Sequence, residues 1–213
     1  MATFVIVRHA QASFGSQDYD ALSALGITQA ETTGRHFASR GAAFDRVLVG
    51  PRVRHAETAR RLVGPRRDFA AVDALDECGA GHGLMRHVLE HREGAPMRAV
   101  LERYLQLLEA WGRGAHEVPG CETRAQFGQR IAGWFDQACA DLRQGEHVLV
   151  VTSAGVIALL VSDLLQAPAP AWGQLMRTMR NASISELLVS GGRRSLASFN
   201  STAHLEPAQV SGI

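Results

Sequence analysis

The residues best suited to chemistry lie directly after short apolar runs. Arg8 and His9 follow the letters FVIV, and Arg52 and Arg54 come soon after VLVG. Arginine presents a planar fork of N–H donors that matches phosphate oxygens, and a neutral imidazole can attack phosphorus. These residues indicate an anion site with a nucleophile. The alternative is that Arg8 caps a sheet edge and that His9 is a hydrogen-bonded core residue.

A third apolar run, VLVV, is followed by Thr152, Ser153 and Ala154, where a helical pattern begins. The free N–H groups at a helix N-terminus add to an anion site. In a parallel α/β sheet, ligands collect at the carboxyl ends of the strands. The ends of these three runs are therefore the expected location of the site.

Short β-rich runs alternate with helical patterns along the chain. The runs are at residues 4–7, 47–49, 148–151, 184–189 and 196–199. The first three show little polar alternation, which is typical of strands buried on both faces. Strands that alternate with helices predict an α/β fold, a three-layer α/β/α sandwich around a mostly parallel sheet.

Apolar residues at helical spacing predict the helices. These are expected at residues 28–41, 54–64, 85–111, 122–142 and 155–165. Pro96 divides the third of them into two helices. Residues 75–120 carry helices without an obvious strand. We therefore expect one domain over residues 1–213, with a helical insertion or cap at about 75–120.

Composition argues against several classes of function. The chain has 213 residues, of which 46% are hydrophobic and 20% charged, and its net charge of +1 argues against a general nucleic-acid binder. All 22 basic residues are arginine, so arginine and protonated histidine are the side-chain cations available to an anion. No apolar run is long enough to span a membrane. The three cysteines form no C-x-x-C pair, and with no signal peptide visible we expect reduced thiols in a cytoplasmic protein.

Together these motifs resemble the histidine phosphatase superfamily, which has the phosphoglycerate mutase-like fold. The letters VRHA are similar to the family's Arg-His-Gly signature, and GPRVRHAETA is similar to its Ser-x-x-x-Arg-Ala-x-x-Thr-Ala segment, with Arg54 as the second phosphate-binding arginine. ALDE resembles the Leu-x-Glu segment, which puts Glu77 in the place of a proton-donating carboxylate. Further matches are GCETRAQFGQRI, NASISEL and FNSTAHL. The segments come in the family's order and cover nearly the whole chain.

The resemblance implies a metal-independent phosphomonoester phosphatase that works through a phosphohistidine. His9 would attack phosphorus, Arg8 and Arg54 would hold the equatorial oxygens, and Glu77 would protonate the leaving alcohol. Because the arginines clamp the charge, no metal or other cofactor is implied. The expected partner is a small phosphorylated substrate or phosphate ion, not nucleic acid or a membrane. The oligomeric state stays open, with a homodimer as one alternative.

The chain departs from the family pattern at several positions. Ser153 stands where the family has its second histidine, in a Val-x-His-Gly stretch. Loss of such a transition-state donor typically costs on the order of 10²–10³ in rate. Ala10 replaces a glycine, which would be strained if positive φ were required, and Ala12 stands where threonine is usual, with Ser13 one step later. A second hypothesis is therefore a phosphate-binding or regulatory homologue with impaired turnover. A phosphoglycerate mutase is disfavoured, because a mutase must retain its phosphohistidine.

Four more residues are expected on the substrate side of the site. They are Ser13, Arg52, Ser153 and Ala154. Arg52 could equally be a surface residue. Asp76 and Asp73 are alternatives to Glu77 as the acid, and His204 or His82 could fold back to replace the missing imidazole.

Two other patterns have simpler readings. His87 and His91 are spaced as zinc ligands on one helix face, but a third ligand at a sensible spacing is lacking, so a solvated face is favoured. The glycines of CGAGHGL follow no strand and open no helix of a dinucleotide-binding unit, which indicates a loop over the site.

Overall fold

The computed structural model describes residues 1–13, 20–79, 83–91 and 94–212. In this part of the chain, six strands form one mixed sheet that is flanked by seven helices. The strands are β1 Ala2–Arg8, β2 Arg46–Val49, β3 Ala70–Ala71, β4 His147–Thr152, β5 Ile184–Ser190 and β6 Arg193–Ser201. The helices are α1 Ala24–Ser39, α2 Val53–Val63, α3 Gly83–Glu90, α4 Met97–Gly112, α5 Arg124–Ala140, α6 Ala154–Leu164 and α7 Ala171–Thr178.

The sheet has the strand order β3-β2-β4-β1-β5-β6. The first four strands in this order are parallel to one another, and β5 and β6 are added as antiparallel strands. This confirms the predicted α/β fold with a mostly parallel sheet. Since β1 lies between β4 and β5, the residues that follow it emerge from the middle of the sheet.

Alternate residues of the central strand enter two separate cores. Phe4 and Ile6 belong to the core that also contains buried residues of α3 to α7. Val5 and Val7 belong to the core on the opposite face, with residues of α1 and α2. Side chains of a strand alternate between the faces of its sheet, so the stretch Phe4 to Val7 needs apolar residues at every position. The absence of polar alternation in FVIV follows from this three-layer packing.

The predicted helices are confirmed, with shifts of a few residues at their ends. Ser23 caps α1 by accepting a hydrogen bond from the backbone N–H of Gly26, and Thr123 and Gln126 form a reciprocal capping box at the start of α5. Pro96 separates α3 from α4, as predicted, and forms the N-cap of α4. Helix α7 and the two-residue strand β3 were not predicted.

The range 75–120 contains α3 and α4. Helix α4 joins the main core through Leu108 and Trp111, which are buried. The ring of Trp111 lies 5.7 Å from that of Trp172 on α7, and its indole N–H donates to the carbonyl oxygen of Glu122. These contacts hold the C-terminal end of α4 to the body of the protein. No helix in the described ranges is long and apolar enough to cross a membrane.

Candidate active site

A cavity of about 420 Å³ lies where β1 ends. The strand β1 is in register with β4 so that Arg8 pairs with Thr152, and the N–H of His9 donates to the Thr152 carbonyl oxygen over 2.8 Å. This backbone pairing fixes the direction in which the two side chains leave the sheet. Arg8, His9 and Arg54 line the cavity together with Glu77 and Ser13.

The imidazole of His9 is held in one tautomer. Its Nδ1–H donates to the carbonyl oxygen of Ala10 over 2.8 Å, and its Nε2 accepts a hydrogen bond of 3.2 Å from Nε of Arg54. A ring that donates from one nitrogen and accepts at the other is neutral. Burial is the main reason why the pKa of His9 lies well below its usual value, and the charges of Arg54, Arg8 and His55 lower it further. Nε2 of His9 therefore carries no proton at neutral pH, and its lone pair points at the Arg54 guanidinium.

Arg54 is fixed by a carboxylate that the sequence did not single out. Its Nη1 donates to Oδ1 of Asp20 over 2.6 Å, and only 4% of the Arg54 side chain is exposed. The second oxygen of Asp20 accepts from the backbone N–H of Val53, the first residue of α2. Asp20 thus satisfies a free helix N–H and orients the arginine at the same time.

Arg8 is anchored from the other side of the cavity. Its Nη1 donates to the carbonyl oxygen of Met179 over 2.5 Å, and the residue is 5% exposed. Both arginines are thus largely buried, and arginine carries a delocalised positive charge with donors that match phosphate oxygens. A cavity with two fixed positive charges beside a neutral imidazole can receive a dianion.

Glu77 reaches the cavity from the loop after the 3-10 turn Asp73–Leu75. Its Oε1 accepts from the backbone N–H of Cys78 over 2.9 Å. The carbonyl oxygen of Leu75 accepts from the hydroxyl of Thr152 over 2.7 Å, which ties this loop to the end of β4. Glu77 and His9 are therefore connected to the same strand.

Arg130 of α5 also holds the loop that carries Glu77. Its Nη1 donates to the carbonyl oxygens of Ala74 and Asp76, over 2.6 and 3.2 Å. The rest of its fork binds the carboxylate of Glu122. The segment GCETRAQFGQRI, which carries part of the family resemblance, thus supports the acidic loop.

A glycine of α6 leaves room for the carboxylate. A Cβ at Gly155 would lie 2.6 Å from Oε1 of Glu77 and 3.1 Å from Sγ of Cys78. Any larger residue at Gly155 would displace the end of the Glu77 side chain. The buried Cys78 thiol has a raised pKa, mainly because of burial, so it stays protonated.

Three of the residues expected on the substrate side do not line the described part of the cavity. Ser153 and Ala154 are buried at the start of α6, and Ser153 shares a 2.7 Å hydrogen bond with Nε2 of His55. The fork of Arg52 makes two bonds of 2.5 Å to the carboxylate of Asp76. Asp76, which the sequence offered as an alternative acid, is thus bound to Arg52. Neither residue is among the described residues that line the cavity.

Several lining residues could not be singled out from the sequence. They are Gln11, Ser23, Cys78, Leu84, Met85, Leu101, Tyr104, Asn181 and Gly212. Asn181 donates to the carbonyl oxygen of His9 over 3.4 Å and belongs to the segment NASISEL, which was the only available signal. The apolar side chains come from α3 and α4, whose periodicity predicts helices but not the surface that they face.

The remaining sequence alternatives are placed as follows. His204 lies away from the cavity lining, against Thr33 and His36, and burial lowers its pKa to about 4. His82 lies outside the described residues, as does most of the CGAGHGL loop. The Nδ1–H of His91 donates to the carbonyl oxygen of His87. No three metal-ligating side chains in the described ranges are grouped as a metal site.

Ala10 does not have positive φ, so its replacement of glycine causes no backbone strain at this position. Its N–H donates to the hydroxyl of Thr58 over 3.1 Å. The turn after β1 is thus tied to α2 by a hydrogen bond that any residue at this position could make.

Comparison with known proteins identifies the family. Residues 4–202 match the sequence profile of the histidine phosphatase superfamily (branch 1). The chain therefore belongs to this superfamily, which confirms the expected family and the enzyme class of phosphatase.

Individual relatives agree with this assignment. The chain is 31% identical over 152 residues to the adenosylcobalamin/alpha-ribazole phosphatase of Escherichia coli K12, covering 70% of each chain. It is 27% identical to the mitochondrial serine/threonine-protein phosphatase PGAM5 of Rattus norvegicus, over 96% of this chain but only 64% of that protein. The solved structure of a phosphoserine phosphatase from Entamoeba histolytica in complex with 3-phosphoglyceric acid superimposes with a TM-score of 0.67 at 20% identity, over 97% of this chain and all of that one. That structure supports the fold.

Proposed function

We propose that this protein is a phosphomonoester phosphatase that forms a phosphohistidine on His9 and needs no metal ion. The observation that carries the proposal is the state of the His9 ring. Its Nδ1 proton is held by the Ala10 carbonyl, and its Nε2 lone pair faces the guanidinium of Arg54 beside the cavity. A neutral imidazole fixed between cations is suited to attack an anionic phosphoryl group.

In the first step, His9 Nε2 attacks phosphorus and the bond between phosphorus and the ester oxygen breaks. Arg8 and Arg54 bind the equatorial oxygens, where the charge is spread in the transition state. The leaving oxygen takes a proton from Glu77 and departs as an alcohol. The Nδ1 proton of His9 stays on Nδ1, hydrogen-bonded to the Ala10 carbonyl oxygen, so no proton has to leave the nucleophile.

In the second step, water attacks the phosphohistidine. Glu77, now a carboxylate, accepts a proton from that water while the bond between nitrogen and phosphorus breaks. Phosphate leaves, and His9 and Glu77 return to their starting protonation states. Both steps use the same charge clamp, and apart from the attacking water neither needs a group from outside the chain.

The cavity also supports a substrate class. Leu84 and Met85 of α3 and Leu101 and Tyr104 of α4 line it together with the charged residues. Apolar side chains favour apolar surface on a ligand. The proposed substrate is therefore a small phosphomonoester whose alcohol portion is apolar or aromatic. The complex of the E. histolytica relative with 3-phosphoglyceric acid supports a small phosphorylated ligand in general.

A second function is favoured by one observation, the place of Ser153. The residue is fully buried and is not among the described residues that line the cavity. With no imidazole at this position to donate to the phosphoryl group, a phosphate-binding homologue with impaired turnover is the alternative.

Hydrolysis of p-nitrophenyl phosphate with a chelator present tests the proposal. We expect turnover by the wild type and none by His9→Ala. The control His147→Ala, at the end of β4 away from Thr152 and the cavity, should keep the wild-type rate. When the substrate carries a labelled phosphoryl group, the label should be trapped on the wild-type protein in a form that is stable to alkali and lost in acid. Equal rates for the wild type and His9→Ala would refute the proposed phosphatase function. Phosphate binding without turnover in the wild type would support the alternative.

A further inference from the structure

A second buried imidazole lies against His9. His55, the third residue of α2, is fully buried, and its ring centroid lies 5.4 Å from that of His9. Its Nε2 shares a hydrogen bond of 2.7 Å with the hydroxyl of Ser153, which is fully buried as well. The two-step reaction uses neither side chain.

The space for this imidazole is provided by a glycine. A Cβ at Gly50 would lie 2.3 Å from Nδ1 of His55 and 2.8 Å from the carbonyl oxygen of Leu75. A buried hydrogen-bonded pair contributes little net stability, and two apolar groups of the same shape can replace it at nearly no cost. Stability alone therefore gives no reason for an imidazole and a hydroxyl beside the nucleophile.

Three positions differ from the family segments in a related way. The segments have serine, alanine and histidine where this chain has Gly50, His55 and Ser153. The ring of His55 lies next to Gly50 and Ser153, the two positions whose side chains are smaller than those of the family segments. An imidazole is thus present beside His9, but α2 supplies it instead of the end of β4.

We propose that His55 is a positioning residue for the reaction of His9 and that it works as a pair with Ser153. The inference rests on the proposed function. The Ala10 carbonyl holds one nitrogen of the His9 ring and Arg54 faces the other, while His55 packs against the ring itself. Fixing the reacting nitrogen to within a fraction of an ångström is worth a large part of the rate.

The second effect of His55 is electrostatic. Its charge is one of the causes that keep the pKa of His9 low, after burial and the two arginines. Removing His55 therefore raises the pKa of His9, and the nucleophile is protonated at a higher pH. The titratable and charged side chains around His9 are Arg8, Arg54 and His55, with Glu77 on the same cavity and Asp20 on Arg54.

The pH dependence of kcat/KM tests the role of His55. For His55→Leu we expect kcat to fall about 10- to 100-fold, with KM changed about twofold or less. The acid limb of kcat/KM should move to higher pH. Ser153→Ala keeps the imidazole, so its acid limb should move less than that of His55→Leu.

An exchange of the two positions tests the pair. Ser153→His alone should reduce kcat, because a second ring cannot enter a fully buried site whose hydroxyl lies 2.7 Å from His55. The double variant His55→Ala/Ser153→His returns one imidazole to the same space. We expect it to exceed His55→Ala in kcat by at least about tenfold. Equal kcat in both would overturn the pairing.

A matched control separates positioning from stability. Leu62→Ala removes a buried side chain from the same helix without touching the cavity. If it lowers kcat as much as His55→Leu does, the positioning role is wrong. If His55→Leu does not fold, His55→Gln replaces it, because an amide can keep a hydrogen bond to Ser153 while the imidazole ring is removed, and a wild-type kcat would then count against the proposal. A wild-type pH profile in His55→Leu overturns the inference alone, whereas a wild-type rate in His9→Ala overturns the proposed function itself.

Discussion

The contact between Gly155 and Glu77 allows the proposed acid to be displaced without being removed. In Gly155→Ala, the new Cβ would lie 2.6 Å from Oε1 of Glu77, so the carboxylate must move by about 0.8 Å to reach an ordinary 3.4 Å contact. Because this atom ends a flexible side chain, its move costs little stability, and the Cys78 thiol, 3.1 Å from the new Cβ, has to give by only a few tenths of an ångström. Alanine also gains up to about 1 kcal/mol over glycine within a helix. We expect a folded protein with a misplaced acid.

The effect on rate should depend on the leaving group. General acid catalysis contributes about 10²–10⁴-fold, and a misplacement near 1 Å can cost about 10²-fold. For an alkyl phosphate, whose leaving oxygen needs a proton, we expect kcat of Gly155→Ala to fall about 100-fold, or about 2.7 kcal/mol in the barrier. For p-nitrophenyl phosphate, whose leaving anion is stable, kcat should change much less.

The assay is the ratio of kcat for an alkyl phosphate to kcat for p-nitrophenyl phosphate. Glu77→Gln should lower this ratio, as Gly155→Ala does. Gly133→Ala is the matched control, because Gly133 lies in α5 with no atom within 4 Å of an added Cβ. It should keep the wild-type ratio and raise the melting temperature by about 2–4 °C for each 1 kcal/mol gained. An unchanged ratio in a folded Gly155→Ala protein would refute the assignment of Glu77 as the acid.

Two further predictions concern charge. Asp20→Asn keeps an acceptor for the Val53 N–H but leaves the buried Arg54 without its carboxylate. The free energy of unfolding of the ligand-free protein should therefore fall by up to about 3 kcal/mol. Inorganic phosphate should bind more tightly, as measured by calorimetry, and weaker binding would contradict this prediction. The unfolded chain protonates His204 near pH 6.5, whereas the folded protein does so only at about 4. Stability should therefore fall as the pH drops between these values, and urea unfolding of His204→Gln should show a smaller fall than the control His147→Gln.

The sequence predicted the parts of the site that depend on local order. Arg8 is the last residue of a buried strand and His9 follows it, and Arg54 lies in the first turn of the helix after another strand. Apolar patterning fixes where these elements end, so it also locates the residues that follow them. The same reasoning found the five longer strands, but not β3, which has only two exposed residues.

The rest of the site depends on contacts between distant segments. His55 reads as an ordinary residue of an amphipathic helix, and only the folded chain brings it to Ser153. Arg52, like Arg54, comes soon after the strand β2, yet its guanidinium points elsewhere and binds the carboxylate of Asp76. Asp20 follows no strand at all. Such pairings are set by tertiary packing, which a periodicity of hydrophobic residues does not encode.

The position of β1 also has a consequence for local opening of the chain. Its amides are paired on both sides, with β4 and with β5, so they should exchange their hydrogens only when the whole domain unfolds. Helix α3 packs on α4, which is held mainly at its C-terminal end. Amides there should exchange through smaller openings. Hydrogen exchange would therefore divide the cavity into a slow half, which carries His9, and a fast half, which carries the apolar side chains of α3 and α4.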